Sequence, residues 1–338
     1  MMPTGKISFA IIGFGHIGKR HAQMILQNPD CELLAVIDSD KKVLETVDKS
    51  IGIYHDIESF LCSGVKADVC CVCTPNGYHV THAVMALEAD MHVVVEKPFA
   101  LNYTDAISVI SLAEQKSRVV FNVMQNRFSP PIQWLKETVD AGVLGNILFV
   151  QINCFWNRDE RYYTKGSWHG DPKLDGGTLF TQFSHFIDIF YWIFGDIENV
   201  SSKIANINHP YLEAFDDSGV ASFTFQKGGI GALSFTTNAY KCNLESSITI
   251  MAENGTIKIG GQYMDTLEVC NIHHYNSPHL PATAAGNDYG TYKGSAQNHC
   301  YIYEDVVNVL KHGKEQTINP KDGAMVINII ERIYKSAK

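Results

Sequence analysis

The sequence predicts an α/β chain of two domains: residues 1–127 build a parallel sheet covered by helices, and residues 128–338 build an α+β domain around a mostly antiparallel sheet. Three observations carry this. From Ile7 to Arg127, short apolar, β-branched runs alternate with segments of helical period, the rhythm of strands buried on both faces. After Pro130 and Pro131 the segments lengthen and alternate apolar with polar residues, joined by turns such as Lys227-Gly228-Gly229 and Asn254-Gly255. A length of 338 residues suits two domains of roughly 100 to 200 residues each.

In the first domain the expected strands are 7–12, 32–37, 69–73 and 92–95, with helices at 17–26 and 80–87. A helix at 103–116 and an apolar run at 119–123 extend that sheet. In the second domain a helix at 131–141 precedes strands at 146–153, 219–226, 230–237, 246–251 and 256–259, and helices at 296–311 and 320–336 close the chain. Segment 178–194 is apolar enough to form one buried helix. Stretch 271–298 has no period and is expected to be a long loop, functional or flexible.

Charge and composition narrow the function. Lys and Arg total 27 against 36 Asp and Glu, a net charge of −9 without a basic run, which disfavours nucleic acid as a partner. No apolar stretch approaches the roughly 18 residues that cross a bilayer, so no membrane association is expected. The nine cysteines are an odd number, and Cys70, Cys71 and Cys73 lie in an apolar run as small core residues. With no secretory pattern before Gly13, the expected setting is the cytoplasm.

Four constellations carry chemistry. Gly13-Phe14-Gly15-His16-Ile17-Gly18 follows the first strand and opens a helix, the pattern that seats a pyrophosphate on helix N–H groups. Asp38, at the end of the next strand, is placed to accept from a ribose 2′-hydroxyl; beside it Ser39 offers no arginine for a 2′-phosphate, so NAD is expected over NADP. Thr74-Pro75-Asn76 with His79, and Glu96-Lys97-Pro98, sit at the carboxyl ends of later strands, where parallel sheets bind ligands. Proline holds Lys97 extended, aiming its amine from a fixed strand end.

In the second domain, Asp175-Gly176-Gly177 leads into 178–194, where Thr178, Thr181, Gln182, His185 and Asp188 fall within an arc of about 120° at 100° per residue. A polar stripe on so apolar a helix must face partners or a cavity. Oxidation of a secondary alcohol by NAD requires removal of the hydroxyl proton, and Lys97 as base with His185 as its partner can do this. Arg158, Arg161, Tyr162 and Tyr163 form a candidate anion clamp, opposed by Asp159 and Glu160. Histidine pairs His16/His21, His79/His82 and His273/His274 lack accompanying ligands at zinc-like spacing, so no metal is expected.

In this order, Gly13 to Gly18, Thr74 to His79, Glu96-Lys97-Pro98 and His185 resemble the glucose–fructose oxidoreductase and inositol dehydrogenase (Gfo/Idh/MocA) family over essentially the whole chain. The resemblance implies a Rossmann domain, an open antiparallel sheet that commonly builds homodimers or homotetramers, and a catalytic lysine at Lys97. Within the family, Gln125-Asn126-Arg127-Phe128, Trp156-Asn157-Arg158, Tyr162-Tyr163, Trp168-His169-Gly170, Asp175-Gly176-Gly177, Gln182, His185 and Asn298-His299 look most like the UDP-N-acetylglucosaminuronate 3-dehydrogenases. That likeness implies a nucleotide-sugar substrate, oxidised at the sugar 3-hydroxyl on the way to bacterial surface polysaccharides. It brings Gln125 to the cofactor and Arg127, Thr181 and Gln182 to the substrate. Many relatives carry Asp four residues before the catalytic His; Thr181 stands there instead. Oxidation of inositol or another free polyol, and NAD sensing without catalysis, are the alternatives.

Overall fold

In the computed structural model, which describes residues 5–213, 215–288, 290 and 293–337, the strands β1 (Ile7–Ile12), β2 (Cys31–Ile37), β3 (Gly52–Tyr54), β4 (Val69–Val72), β5 (His92–Val95) and β6 (Val120–Asn122) form one sheet in the order β3-β2-β1-β4-β5-β6. Every neighbouring pair in it is parallel. All residues of β1 and β4 are buried, as strands covered by helices on both faces require. The order reverses between β1 and β4, and that switch point opens the ligand crevice at their carboxyl ends.

This first unit comprises Met1–Met124 with His299–Ala324. It therefore takes back a segment that the 1–127 and 128–338 division assigns to the second domain. The reason is an apolar face: helix His299–His312 buries Ile302, Tyr303 and Val306, and the Tyr303 ring packs edge-on at 5.4 Å from Phe9 of β1.

The second unit, Gln125–Asn298 with Met325–Lys338, holds β7 (Ile147–Phe155), β8 (Ile197–Ala205), β9 (Ser218–Phe225), β10 (Ile230–Thr236), β11 (Glu245–Ala252), β12 (Gly255–Gly260) and β13 (Thr266–Ile272). Their order is β13-β12-β11-β7-β10-β9-β8, antiparallel except where β7 meets β10. One face packs on helix Ser184–Phe194 through Phe190 against Phe223 and Phe194 against Phe225. On the strands' other side Val220, Ile230 and Met251 are exposed.

Strands β3, β8 and β13 and helix Ile57–Cys62 lie outside the sequence expectation. Three residues are too few to show a period in β3, and β8 is interrupted by a register shift between Glu198 and Ser201, with Asn199 at φ 53°. Stretch 271–298 is not structureless: it carries the hairpin β14 (Gly286–Asp288) and β15 (Lys293–Ala296), while 289, 291 and 292 lie outside the described residues. Among the described residues no helix is long and apolar enough to cross a membrane.

Candidate active site

The first element of the site is the turn after β1. Gly13 adopts φ 87°, and a Cβ there would lie 2.6 Å from the Cys73 carbonyl oxygen. A Cβ on Gly18 would lie 2.0 Å from the Gly13 carbonyl oxygen, so only glycine lets the helix start so close to the turn. Gly15 differs: a Cβ there meets nothing within 4 Å, leaving open space before the first turn of helix His16–Gln27. That helix has no side-chain cap and no acid in its first turn, an arrangement that suits an anion at its amino terminus. Asp38 braces the turn, its carboxylate accepting from Phe14 N at 2.6 Å and from Asp40 N at 2.9 Å, and it keeps partial solvent access for a ribose hydroxyl.

The second element lies at the ends of β4 and β5. His79 is buried, with Nδ1 2.7 Å from the Pro98 carbonyl and Nε2 2.8 Å from the Thr74 carbonyl. Both ring nitrogens of His79, a residue expected at the cofactor, thus face main-chain carbonyls and link the two loops. Glu96 is likewise buried: Oε1 meets His21 Nε2 at 2.8 Å and Oε2 accepts from Lys97 N at 3.0 Å. Burial would raise its pKa, but the His21 hydrogen bond and the His299 imidazole 3.4 Å away outweigh that and hold the carboxyl well below its ordinary range. The Glu96 carboxylate, expected at the cofactor, is thus engaged by His21 and by the Lys97 main chain. The ligating atoms of His21, Glu96 and His299 all lie within 4.8 Å of one another. The spacing of His16 and His21 did not reveal this group, because the fold gathers it from three distant segments. Lys97 itself is half-buried, between buried neighbours Glu96 and Pro98.

In the second unit the expected helix 178–194 is two helices, Thr178–Thr181 and Ser184–Phe194. Two buried carboxylates pin the first turn. Asp175 accepts from Thr181 Oγ1 at 2.7 Å, Gly170 N at 2.8 Å and Gly177 N at 3.2 Å; Asp216 accepts from Thr178 N at 3.2 Å, from Tyr334 Oη at 2.9 Å and from Thr178 Oγ1. The expected single polar stripe is therefore divided among separate partners: Thr181 faces Asp175, Gln182 faces Tyr162 and Arg158, and Asp188 faces Arg127. His185 is buried, at 1% exposure.

Sequence reasoning missed Asp216, and saw Asp175 only as part of a glycine turn. Burial, with the Asp216 charge adding, pushes the Asp175 pKa up to about 6 despite its three hydrogen bonds. A carboxyl whose folded pKa exceeds its unfolded value favours the fold below the unfolded value and loses that advantage as pH rises through the folded one. Relative to Asp175→Asn, the wild-type protein is expected to lose urea resistance as pH rises from about 4 to about 7. Equal pH slopes for the two proteins would refute this.

The arginines separate by burial. Arg127, expected at the substrate, forms a buried pair with Asp188, Nε to Oδ2 at 2.8 Å and a second nitrogen to Oδ1 at 2.5 Å. Arg158, expected in the anion clamp, is 2% exposed and bonds Gln182, the Asn157 carbonyl, Asn243 and the Lys293 carbonyl, which fastens β15 to the loop after β7. Tyr162 and Tyr163 are buried too. Arg161 is exposed and paired with Asp159 at 2.6 Å.

Residues 7–124 match the family described as "Oxidoreductase family, NAD-binding Rossmann fold", and residues 136–338 match its "C-terminal alpha/beta domain", GFO_IDH_MocA_C. The chain belongs to the GFO_IDH_MocA oxidoreductase family. Among solved structures it is similar to the WlbA dehydrogenase of Bordetella pertussis in complex with NADH and UDP-GlcNAcA, at 29% identity and TM-score 0.87, covering 98% of this chain and 96% of that one. The WlbA dehydrogenase of Chromobacterium violaceum, in complex with the same two molecules, gives 27% identity and TM-score 0.88 over 99% and 95% of the chains. The D-glucoside 3-dehydrogenase of Escherichia coli (strain K12) is 36% identical over 150 residues, which are 43% of this chain and 42% of that protein. This member of the family is an NAD-dependent oxidoreductase, and the open space at Gly15, the uncapped helix and Asp38 fit NAD.

Proposed function

We propose that the protein oxidises a secondary hydroxyl of a nucleotide-linked sugar acid in the cytoplasm, C3 of a UDP-N-acetyl-hexuronic acid, with NAD as the oxidant. The observation that carries this is the likeness, across 95–96% of their length, to two dehydrogenases whose structures hold NADH and UDP-GlcNAcA. NAD when bound supplies the two-electron acceptor, held by Gly13 to Gly18, Asp38, Ser39, Thr74, Pro75, Asn76 and Gln125.

Lys97 removes the hydroxyl proton. Free lysine, at about pKa 10.4, is too basic for that task near neutral pH, so the role requires a setting that disfavours a second positive charge, which the oxidised nicotinamide supplies when bound. His185 holds the hydroxyl or relays the proton. Arg161 is the arginine of the sequence-predicted clamp left exposed, so anionic groups of the substrate fall to it by exchange with Asp159. Arg161→Ala is expected to raise KM for the UDP-sugar by about tenfold with kcat retained and with no resolvable loss of stability, since solvent screens an exposed ion pair. An unchanged KM removes Arg161 from the site.

The test is NADH formation with a panel of UDP-sugars and free polyols. Turnover of polyols alone favours an inositol-type dehydrogenase, and silence with every compound favours an NAD sensor. The open face of the second sheet, where Val220, Ile230 and Met251 are exposed, is proposed to pair with a second copy of the chain. Light scattering is expected to give a dimer or tetramer, and Ile230→Glu a smaller species.

A further inference from the structure

The main chain at Lys97 is anchored on both sides by buried polar side chains. On the amino side, Lys97 N donates to Glu96 Oε2 at 3.0 Å. The other carboxylate oxygen lies 2.8 Å from His21 Nε2 and 3.4 Å from His299 Nε2. His21 Nδ1 is in turn 2.6 Å from the Tyr303 hydroxyl, which reaches Cys71 Sγ of β4 at 3.4 Å. On the carboxyl side, the Pro98 carbonyl accepts from His79 Nδ1 at 2.7 Å, and His79 Nε2 lies 2.8 Å from the Thr74 carbonyl. Exposure of His21, His79, Glu96, His299 and Tyr303 runs from 0% to 5%.

Stability alone does not account for this arrangement. A buried carboxylate among imidazoles costs desolvation that apolar side chains of the same volume avoid. Both ring nitrogens of His79 face carbonyl oxygens, so full satisfaction needs two N–H groups, whereas burial lowers the pKa and favours the ring with one. What the two anchors share is that they converge on the backbone flanking Lys97. Two hydrogen-bonded points, one on each side of a residue, fix the direction in which its side chain leaves the chain.

We propose that Glu96, braced by His21 and His299, and His79, braced between the Thr74 and Pro98 carbonyls, are positioning residues that hold Lys97 in its working place. This rests on the reading of Lys97 as the base. A displacement of about 1 Å in a catalytic group costs up to about 10²-fold in rate, so such anchors act on kcat while leaving binding intact.

Two measurements on the full chain test it: acetic anhydride labelling of Lys97, followed by peptide mass spectrometry with and without NAD, and steady-state kinetics. In wild type, NAD is expected to shield Lys97 from labelling. In Glu96→Gln and His79→Gln the shielding is expected to be lost and kcat to fall by about tenfold or more, with NAD affinity and KM within about threefold of wild type. Tyr303→Phe deletes a single oxygen from the relay behind Glu96, and serves if the inner variants do not fold; it is expected to weaken shielding in the same direction. Shielding and kcat equal to wild type in the folded variants would overturn the proposal. If instead NAD does not shield Lys97 in wild type, or Lys97→Ala turns over normally, it is the reading of Lys97 as base that fails.

Discussion

Lys97→Ala is expected to bind NAD with near wild-type affinity and to lose turnover by about 10²- to 10⁴-fold, the range that a positioned acid–base group supplies. The size of the effect follows from the reaction. An alcohol releases its proton in water only far above neutral pH, and oxidation of its carbon cannot proceed far while the hydroxyl keeps that proton. Deleting the amine removes an interaction made in the transition state, so kcat and kcat/KM should fall together. Lys97→Arg gives a sharper result. Guanidinium keeps the charge and much of the length but does not deprotonate in a protein, so a lysine acting as base makes this variant as inactive as alanine. A lysine that only attracts the substrate would leave Lys97→Arg substantially active. Stopped-flow NADH formation for both variants, beside an NAD titration, decides between these roles.

Features written in a few consecutive residues were legible in the sequence. Gly13 to Gly18, the buried runs of β1, β2, β4 and β5, and Asp38 at the end of β2 are local patterns, and the fold places them as those patterns imply. Features that depend on long-range partners were not. Nothing adjacent to His21 announces Glu96 and His299, and nothing adjacent to Arg127 announces Asp188, yet these partners decide whether each side chain is offered to a ligand or consumed within the protein. Arg158 shows the same limit: its neighbours in sequence suggest an exposed loop, and its burial depends on Asn243 and on the Lys293 carbonyl. The division of helix 178–194 was hidden for a related reason. Helical period was present throughout, but Asp216 and Asp175 capture Thr178 and Thr181, and the chain turns at Gln182 and Phe183 before the second helix begins.

Asp188→Ala is expected to lower unfolding stability by about 3 to 5 kcal/mol, the cost of leaving a buried charge without its partner. The Arg127 and Asp188 side chains are 4% and 1% exposed, joined by two parallel hydrogen bonds, and the guanidinium lies 5.1 Å from the centre of the Trp192 ring. Removing the carboxylate leaves a cation in an apolar setting that cannot shed its proton. Urea unfolding measures the loss, and a change below about 1 kcal/mol would show that water reaches the guanidinium and the pair is not the buried unit described. The double variant Arg127→Met with Asp188→Leu separates stability from geometry. Apolar replacements for a buried ion pair are often neutral or stabilising, so this variant is expected to recover most of the loss. Activity need not recover with it. Asp188 lies one turn beyond His185 on the same helix, and Arg127 follows Gln125 by two residues, so the pair fixes how that helix is rotated against the segment entering the second unit. A stable double variant with reduced kcat means that the ion pair is kept for the direction in which His185 points; full activity means that packing alone sets that direction.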